Sequence, residues 1–161
     1  MRFIWAVTLA GIFFAGERAA AQELISKDDI KNTILGPTRA IGKKQRTAVN
    51  LPTITFEFNS ASLTPQGRQQ LDLLAEAIKE VGLTQQTFTI EGYTDAAGSP
   101  DYNQNLSERR AVAAKEYLVS QAGIDPVQIK PVGFGKSRLL PDKPVLAPEQ
   151  RRIEFVVGTT P

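Results

Sequence analysis

Asp95 and Arg110 are the residues of this sequence best placed for binding chemistry. Arg110 lies in the apolar stripe of a predicted helix, four residues after Leu106 and three before Ala113. Burying a guanidinium without a counter-ion is costly, so we expect an anion beside it. Asp95 follows the preceding predicted strand, where the loop into the helix would hold its carboxylate nearby. The pattern predicts one fixed cation and one fixed anion at the same edge of a sheet.

Such a pair suits a zwitterionic ligand. The carboxylate can accept hydrogen bonds from an ammonium group, and the guanidinium can bind a carboxylate through two parallel hydrogen bonds. An amino-acid head group is the simplest ligand of this kind. A purely structural salt bridge between Asp95 and Arg110 explains the spacing equally well. The neighbouring Arg109 is expected to face solvent.

Composition excludes several other kinds of site. The 161-residue chain contains no His and no Cys, so it has no Ser–His triad, no Cys nucleophile, no imidazole or thiolate metal site and no disulfide. We predict neither a metal nor a cofactor. Lys and Arg number 19 and Asp and Glu 17, and this surplus is too small to indicate nucleic-acid binding.

The hydrophobic periodicity from residue 51 onward predicts the elements that would position these residues. In chain order they are a strand at 54–58, a helix at 65–81, a strand at 87–93, a helix at 103–121, a strand at 129–133 and a strand at 152–157. A loop with three prolines occupies residues 134–150. The order predicts an α+β sandwich of β-α-β-α-β-β type, with two helices packed on one face of a mixed sheet.

Residues 1–21 have the order of a secretory signal peptide. Arg2 precedes an apolar run at 3–16, and the small residues that follow predict cleavage after Ala21. The run is shorter than the roughly 20 apolar residues of a membrane span. An uncleaved anchor helix is the alternative.

Residues 22–50 are predicted to be a short helix and a basic linker ahead of a domain at 51–158. Ser26 and Asp29 have capping-box spacing, and the predicted helix has little apolar surface to bury. The stretch from Pro37 to Asn50 carries four basic residues and no acidic one. We interpret it as a solvated tether, with contact to outer-membrane lipid or to a membrane protein as the alternative.

Several stretches of the predicted domain are distinctive as motifs. They read Phe-Glu-Phe-Asn-Ser-Ala-Ser-Leu at 56–63, Glu-Gly-Tyr-Thr-Asp-Ala-Ala-Gly at 91–98, Tyr-Asn-Gln-Asn-Leu-Ser-Glu-Arg-Arg-Ala at 102–111, Gly-Phe-Gly at 133–135 and Arg-Arg-Ile-Glu at 151–154. Together they closely resemble the OmpA-like peptidoglycan-binding domain family, which includes the carboxyl-terminal domain of OmpA, Pal and MotB. The resemblance covers residues 52–158, with the motifs in the family's order.

The resemblance implies a non-catalytic domain that binds the meso-diaminopimelate of the stem peptide in Gram-negative peptidoglycan. Asp95 matches the family's ammonium-binding aspartate, and Arg110 matches its carboxylate-binding arginine. The further positions that line the same pocket in the family are Asn59, Thr94, Asn103 and Arg151.

The choice of Arg151 over its neighbour Arg152 follows from strand alternation, which places Arg151 on the face of Ile153. One position departs from the family pattern, because Gln150 stands where Asn is common.

The resemblance also implies a cellular location and partners. The chain is expected to be a stand-alone periplasmic member with neither barrel nor lipobox, bound to peptidoglycan; contact of residues 22–50 with an outer-membrane protein or lipid is the alternative to a solvated tether.

Two other function classes remain open. A periplasmic scaffold would bind a protein partner in place of the wall. An envelope hydrolase would use Glu91 with Asp95, or Asp95 with Asp101, as acid and base. The nearby guanidinium of Arg110 argues against the hydrolase, because it favours the ionised carboxylate and leaves no evident proton donor.

Overall fold

The computed structural model describes residues 23–35, 47–52, 54–83 and 86–158. Its helices and strands, in chain order, are α1 (Lys27–Leu35), β1 (Thr47–Leu51), α2 (Pro65–Glu80), β2 (Phe88–Tyr93), α3 (Pro100–Ala122), β3 (Ile129–Gly135) and β4 (Ile153–Val157). The predicted α+β class is confirmed. The predicted signal peptide at 1–21 and the linker residues 36–46 lie outside the described residues.

The four strands form one mixed sheet in the order β1-β4-β2-β3. β4 is antiparallel to both β1 and β2, whereas β2 and β3 are parallel. A parallel pair needs a crossover connection, and α3 supplies it by packing on both strands. The register shifts between Gly92 and Tyr93, so the ladder is irregular where β2 runs into the loop that carries Asp95.

Both long helices begin at capped, proline-containing turns. Thr64 caps α2 by accepting a hydrogen bond from the backbone N–H of Gly67 at 3.0 Å. Ser99 caps α3 in the same way, accepting from the N–H of Tyr102 at 3.2 Å. With Pro100 in its first turn, α3 begins three residues before the predicted start. The first turn of α3 is therefore next to the loop after β2.

Two glycines let the backbone of α3 lie directly on the sheet. A Cβ atom at Gly133 would be 2.5 Å from the backbone nitrogen of Glu108, and one at Gly92 would contact the carbonyl oxygen of Ser107. The hydroxyl of Ser107 also accepts a hydrogen bond from the N–H of Gly135 at 2.9 Å. These contacts fix how far α3 can move along β3, and Arg110 is less than one turn beyond them.

The hydrophobic core lies between the sheet and the helices. The rings of Phe88 and Phe155, on adjacent strands, have centroids 4.8 Å apart. Leu74 and Ile78 of α2 and Leu118 of α3 are buried in the same cluster.

Two local predictions are wrong. The predicted strand at 54–58 is a loop with a single bridge between Phe56 and Leu63, because the chain turns there and leaves the Phe58 side chain 98% exposed. The first strand is instead β1, which overlaps the end of the stretch predicted as a linker, and its Val49 and Leu51 are buried against the core.

The prediction that the amino-terminal helix has little to bury is also wrong. Its capping by Ser26 is confirmed, but Ile30 is fully buried in the core. The side chain of Gln70 on α2 both donates to and accepts from the backbone of Ile25, at 3.0 and 2.7 Å. Lys27 reaches Glu80 on α2 at 2.5 Å. The helix is therefore attached to the domain.

Within the described ranges, none of the helices is both long enough and apolar enough to span a bilayer.

Candidate ligand-binding site

One open pocket of about 590 Å³ lies at the carboxyl end of β2. Its walls come from the loop before α2, the loop after β2, the first half of α3 and the turn before β4. All six residues that the sequence analysis named line it: Asn59, Thr94, Asp95, Asn103, Arg110 and Arg151. The fold thus brings together residues that are up to 92 positions apart in the chain.

Asp95 is held in one orientation by the loop after β2. Its Oδ1 accepts a hydrogen bond from the N–H of Ala97 at 3.0 Å, and its Oδ2 accepts one from Nη1 of Arg151 at 2.8 Å. The Nζ of Lys136 donates to the carbonyl oxygen of Gly98 at 2.8 Å and so holds the loop from the other side. The side chain of Asp95 is 15% exposed, so the carboxylate is fixed yet reachable from the pocket.

Arg110 enters the pocket from the middle of α3. Its Nε donates to the carbonyl oxygen of Ser60 at 3.0 Å, and its guanidinium carbon is 5.0 Å from the ring centroid of Phe56. Burial lowers the pKa of Arg110 because it disfavours the charged form, while Tyr102 and Asp95 act in the opposite direction. The two terminal nitrogens have no protein acceptor in the described part of the chain, so they remain available to a ligand.

The structure corrects the expected pairing of charges. Asp95 and Arg110 line the same pocket, but no N–O distance of 4.0 Å or less joins them. The ion pair of Asp95 is with Arg151 instead. The alternative interpretation, a structural salt bridge between Asp95 and Arg110, is therefore wrong. Sequence spacing carried no signal for the observed pair, which joins residues 56 positions apart.

Thr94 and Asn103 are almost fully buried and mainly hold the loop that carries Asp95. The Nδ2 of Asn103 donates to the carbonyl oxygen of Ala97 at 2.6 Å. Thr94 bonds to β3 through its N–H, at 2.9 Å from the carbonyl oxygen of Gly135. Asn59 is exposed at the pocket mouth with φ of 53°, a conformation that Asn adopts more readily than most residues.

The turn before β4 separates two neighbouring arginines. Arg151 lines the pocket, whereas Arg152 is buried and pairs with Glu154 at 2.8 Å; both residues precede β4, so strand alternation does not account for the difference. The nearby Gln150 is fully buried, and its side chain bonds the backbone N–H and carbonyl of Leu140 at 2.8 and 3.1 Å. Gln at this position therefore anchors the preceding loop.

Arg109 is exposed and lies outside this pocket, as expected.

Sequence reasoning missed the aromatic residues and the lysine around the site. Phe56 and Phe58 were interpreted as strand residues, yet both line the pocket with Tyr102. The alternation of apolar and polar residues around Phe56 and Phe58 was the available signal, but it does not distinguish a strand from a folded loop. Lys136 carried no local signal, because its role depends on carbonyl groups about 40 residues earlier in the chain.

The acid–base pairs of the hydrolase alternative do not share the pocket. Glu91 is fully buried and accepts a hydrogen bond from the hydroxyl of Tyr93, and Asp101 is exposed; neither lines the pocket with Asp95. Across the residues described, no group of three or more acidic side chains could hold a metal ion. The arrangement offers ionic binding groups within one cavity.

Comparison with known families gives a match to the OmpA family model at residues 55–152. Among known proteins, the chain is 41% identical over 88 residues to the peptidoglycan-associated lipoprotein of Pseudomonas aeruginosa, covering 55% of this chain and 50% of that protein. It is 46% identical over 81 residues to outer membrane protein A of Bordetella avium, covering 50% of this chain and 40% of that protein. The chain thus spans half or less of the length of these relatives.

Solved structures show the same fold. The OmpA-like domain of FopA1 from Francisella tularensis superposes with a TM-score of 0.59 at 28% identity, covering 73% of this chain and 76% of that one. The periplasmic domain of Helicobacter pylori MotB superposes with a TM-score of 0.60 at 19% identity, covering 74% of this chain and 86% of that one. The second likeness concerns the fold alone.

Proposed function

The chain belongs to the OmpA family, and we propose that its domain binds peptidoglycan non-covalently and without catalysis. One observation carries the proposal: the Asp95 carboxylate and the Arg110 guanidinium line one open pocket without being paired to each other. A pocket that contains both charges, at separate positions, fits a ligand that carries both. The name of the Pseudomonas relative, a peptidoglycan-associated lipoprotein, supports the same polymer.

Within the polymer, we propose that the bound group is the zwitterionic end of meso-diaminopimelate. Its ammonium would bind Asp95, and its carboxylate would accept two parallel hydrogen bonds from the terminal nitrogens of Arg110. Thr94 and Asn103 would keep the Asp95 loop in place, and Asn59 would contact the ligand at the pocket mouth. Arg151 would give up its bond to Asp95 when the ammonium arrives.

We also propose a periplasmic location for the protein. Residues 1–21 would direct export and be removed, and the binding domain predicted at 51–158 would also include α1 and β1. Residues 22–50 would approach the outer membrane or one of its proteins. Because α1 and β1 are attached to the domain, that approach would fall to the residues between them.

Co-sedimentation with purified diaminopimelate-type sacculi tests the proposal. The wild-type protein should pellet, whereas Asp95→Ala and Arg110→Ala should remain in the supernatant. Arg109→Ala is the matched control, because it removes an exposed arginine from the same helix outside the pocket. Circular dichroism of each variant shows whether it is folded.

Other results would favour the alternatives. If the folded wild-type protein does not pellet, a protein partner replaces the wall. If all variants pellet equally, the pocket is not the contact. Release of soluble fragments from the sacculi, quantified by chromatography, would establish a hydrolase.

A further inference from the structure

A second, smaller cavity adjoins the ligand pocket and shares Phe56, Arg110 and Arg151 with it. Its volume is about 190 Å³, and its other walls include Ile54, Thr55 and Pro148. Both ionisable side chains that line it, among the residues described, are arginines. This cavity, the arginine crevice, therefore presents two cations and no carboxylate.

The two guanidinium groups are incompletely paired in the free protein. Arg110 uses only its Nε, toward the carbonyl oxygen of Ser60, and Arg151 makes one ion pair, through Nη1 to Asp95. The carboxylate of Asp95 thus pairs with Arg151, and none of the ion pairs among the described residues involves Arg110. Burial lowers the pKa of Arg110, and the positive charge of Arg151 acts in the same direction. An anion between the two guanidinium groups would counteract both effects.

We propose that the arginine crevice binds a second carboxylate of the same ligand, so that the complete site takes one ammonium and two carboxylates. The inference rests on the proposed function. When the ligand's ammonium binds Asp95, the guanidinium of Arg151 is released from that carboxylate. It then faces the crevice beside Arg110, and two planar donor groups hold the additional anion.

The charges of the site support this ligand class. Asp95, Arg110 and Arg151 together carry one net positive charge, which a ligand with two carboxylates and one ammonium balances. Glu57 also lines the main pocket, but it is exposed and does not line the crevice, so water screens it. A plain zwitterion would leave one arginine without an anion.

Two parts of a peptide stem can supply the additional carboxylate. In an N-acylated diaminopimelate unit at the end of the peptide, the carboxylate of the acylated centre is free. When another residue follows, that carboxyl group is part of an amide bond and carries no charge. A glutamate linked through its side chain to the same unit carries a free α-carboxylate. Both sources therefore present a carboxylate that is joined to the zwitterionic end by a short chain of atoms.

Calorimetric titration of the purified protein with two matched probes tests the proposal. The probes are N-acetyl-meso-diaminopimelate with the carboxyl of the acetylated centre free, and the same compound with that carboxyl amidated. We expect the free acid to bind about tenfold more tightly, as an added charge-assisted interaction implies. In Arg151→Gln the ratio should fall to about two or less. The amide should then bind at least as well as to wild type, because Asp95 has lost its internal partner.

Arg109→Gln is the control and should preserve the wild-type ratio, with circular dichroism confirming that each variant is folded. Equal affinity for wild type within this probe pair and within the glutamyl pair described below would overturn the crevice and leave the proposed function intact. A preference for the free acid that survives in Arg151→Gln would overturn the assignment of Arg151. Absence of binding by either probe would instead contradict the proposed function.

A second probe pair distinguishes the two sources. In γ-D-glutamyl-meso-diaminopimelate, the α-carboxyl of the glutamate is either free or amidated. A preference for the free form that disappears in Arg151→Gln would support the crevice with glutamate as the source. A preference confined to the first pair would support it with diaminopimelate as the source.

Discussion

Two adjacent arginines make ion pairs of equal length in different surroundings. Arg151 contacts Asp95 and Arg152 contacts Glu154, both at 2.8 Å. The first pair lies in the open pocket, with side chains 46% and 15% exposed, and the second is enclosed, with side chains 4% and 12% exposed. The two pairs therefore do not differ in the distance between their charges. They differ in the surroundings of the guanidinium.

The difference lies in how many donors each guanidinium has used. Arg152 also donates to the carbonyl oxygens of Gln150 and Arg138, at 3.4 and 3.3 Å, and its guanidinium carbon is 3.8 Å from the ring centroid of Tyr93. Arg151 makes a single ion pair. A guanidinium with most of its donors used stabilises the fold, whereas one with donors to spare can exchange partners.

The largest effect is expected from Arg152→Gln, which should lower the free energy of unfolding by about 3 kcal/mol. The variant loses a buried charge-assisted bond to Glu154 and two contacts with carbonyl oxygens. Urea denaturation followed by circular dichroism measures the change. Lys130→Gln, an exposed cation on β3, is the control and should change stability by less than about 0.5 kcal/mol. A loss below about 1 kcal/mol for Arg152→Gln would contradict the comparison.

The next effect concerns binding. Arg110→Gln should weaken binding to sacculi by roughly 30-fold, about 2 kcal/mol, because it removes two charge-assisted donors to the ligand. Its free energy of unfolding should change by no more than about 1 kcal/mol, since only the bond to Ser60 and the contact with Phe56 are affected. Sedimentation isotherms measure the affinity, with Arg109→Gln as the control. Unchanged affinity in folded Arg110→Gln would place the ligand elsewhere.

A smaller effect is expected from Arg151→Gln on stability. A half-exposed ion pair contributes little to folding, so the free energy of unfolding should change by less than about 1 kcal/mol. The same urea experiment as for Arg152→Gln provides the measurement. A loss as large as that of Arg152→Gln would show that the two pairs have the same structural role.

The smallest effect is that of salt. Raising sodium chloride from about 0.05 to about 0.5 M should weaken sacculus binding several-fold, because the pocket is open to water and ions screen its charges. The stability difference between wild type and Arg152→Gln should stay constant over the same range, because that pair is enclosed. Binding that does not respond to salt would argue against an ionic site.

The site was more predictable from the sequence than its internal contacts. Helical periodicity placed Arg110 toward the sheet, and the end of β2 placed Asp95 next to it, because both rules are local. The pairing of Asp95 with Arg151 depends on how the turn before β4 folds, which involves the buried side chain of Gln150. Local patterns carry no information on such a contact.

The fold was also predictable only where local sequence patterns determine it. The two long helices were predicted because capping residues and apolar stripes mark them. β1 was missed because its five residues follow a basic stretch, and only pairing with β4 shows that they are a strand. The short helix with Ile30, Ile34 and Leu35 was predicted to have little to bury, because the sequence does not show that Ile30 packs in the same core cluster as α2.

The close contact of α3 with Gly92 and Gly133 also affects the entropy of binding. Since the helix backbone cannot shift along the strands, the separation between the Asp95 loop and the root of Arg110 is set before any ligand arrives. Binding therefore orders few backbone torsions. Under the proposed function, the loss of freedom on binding would be confined to a few side chains, chiefly Arg151, and the site would be preorganised for its ligand.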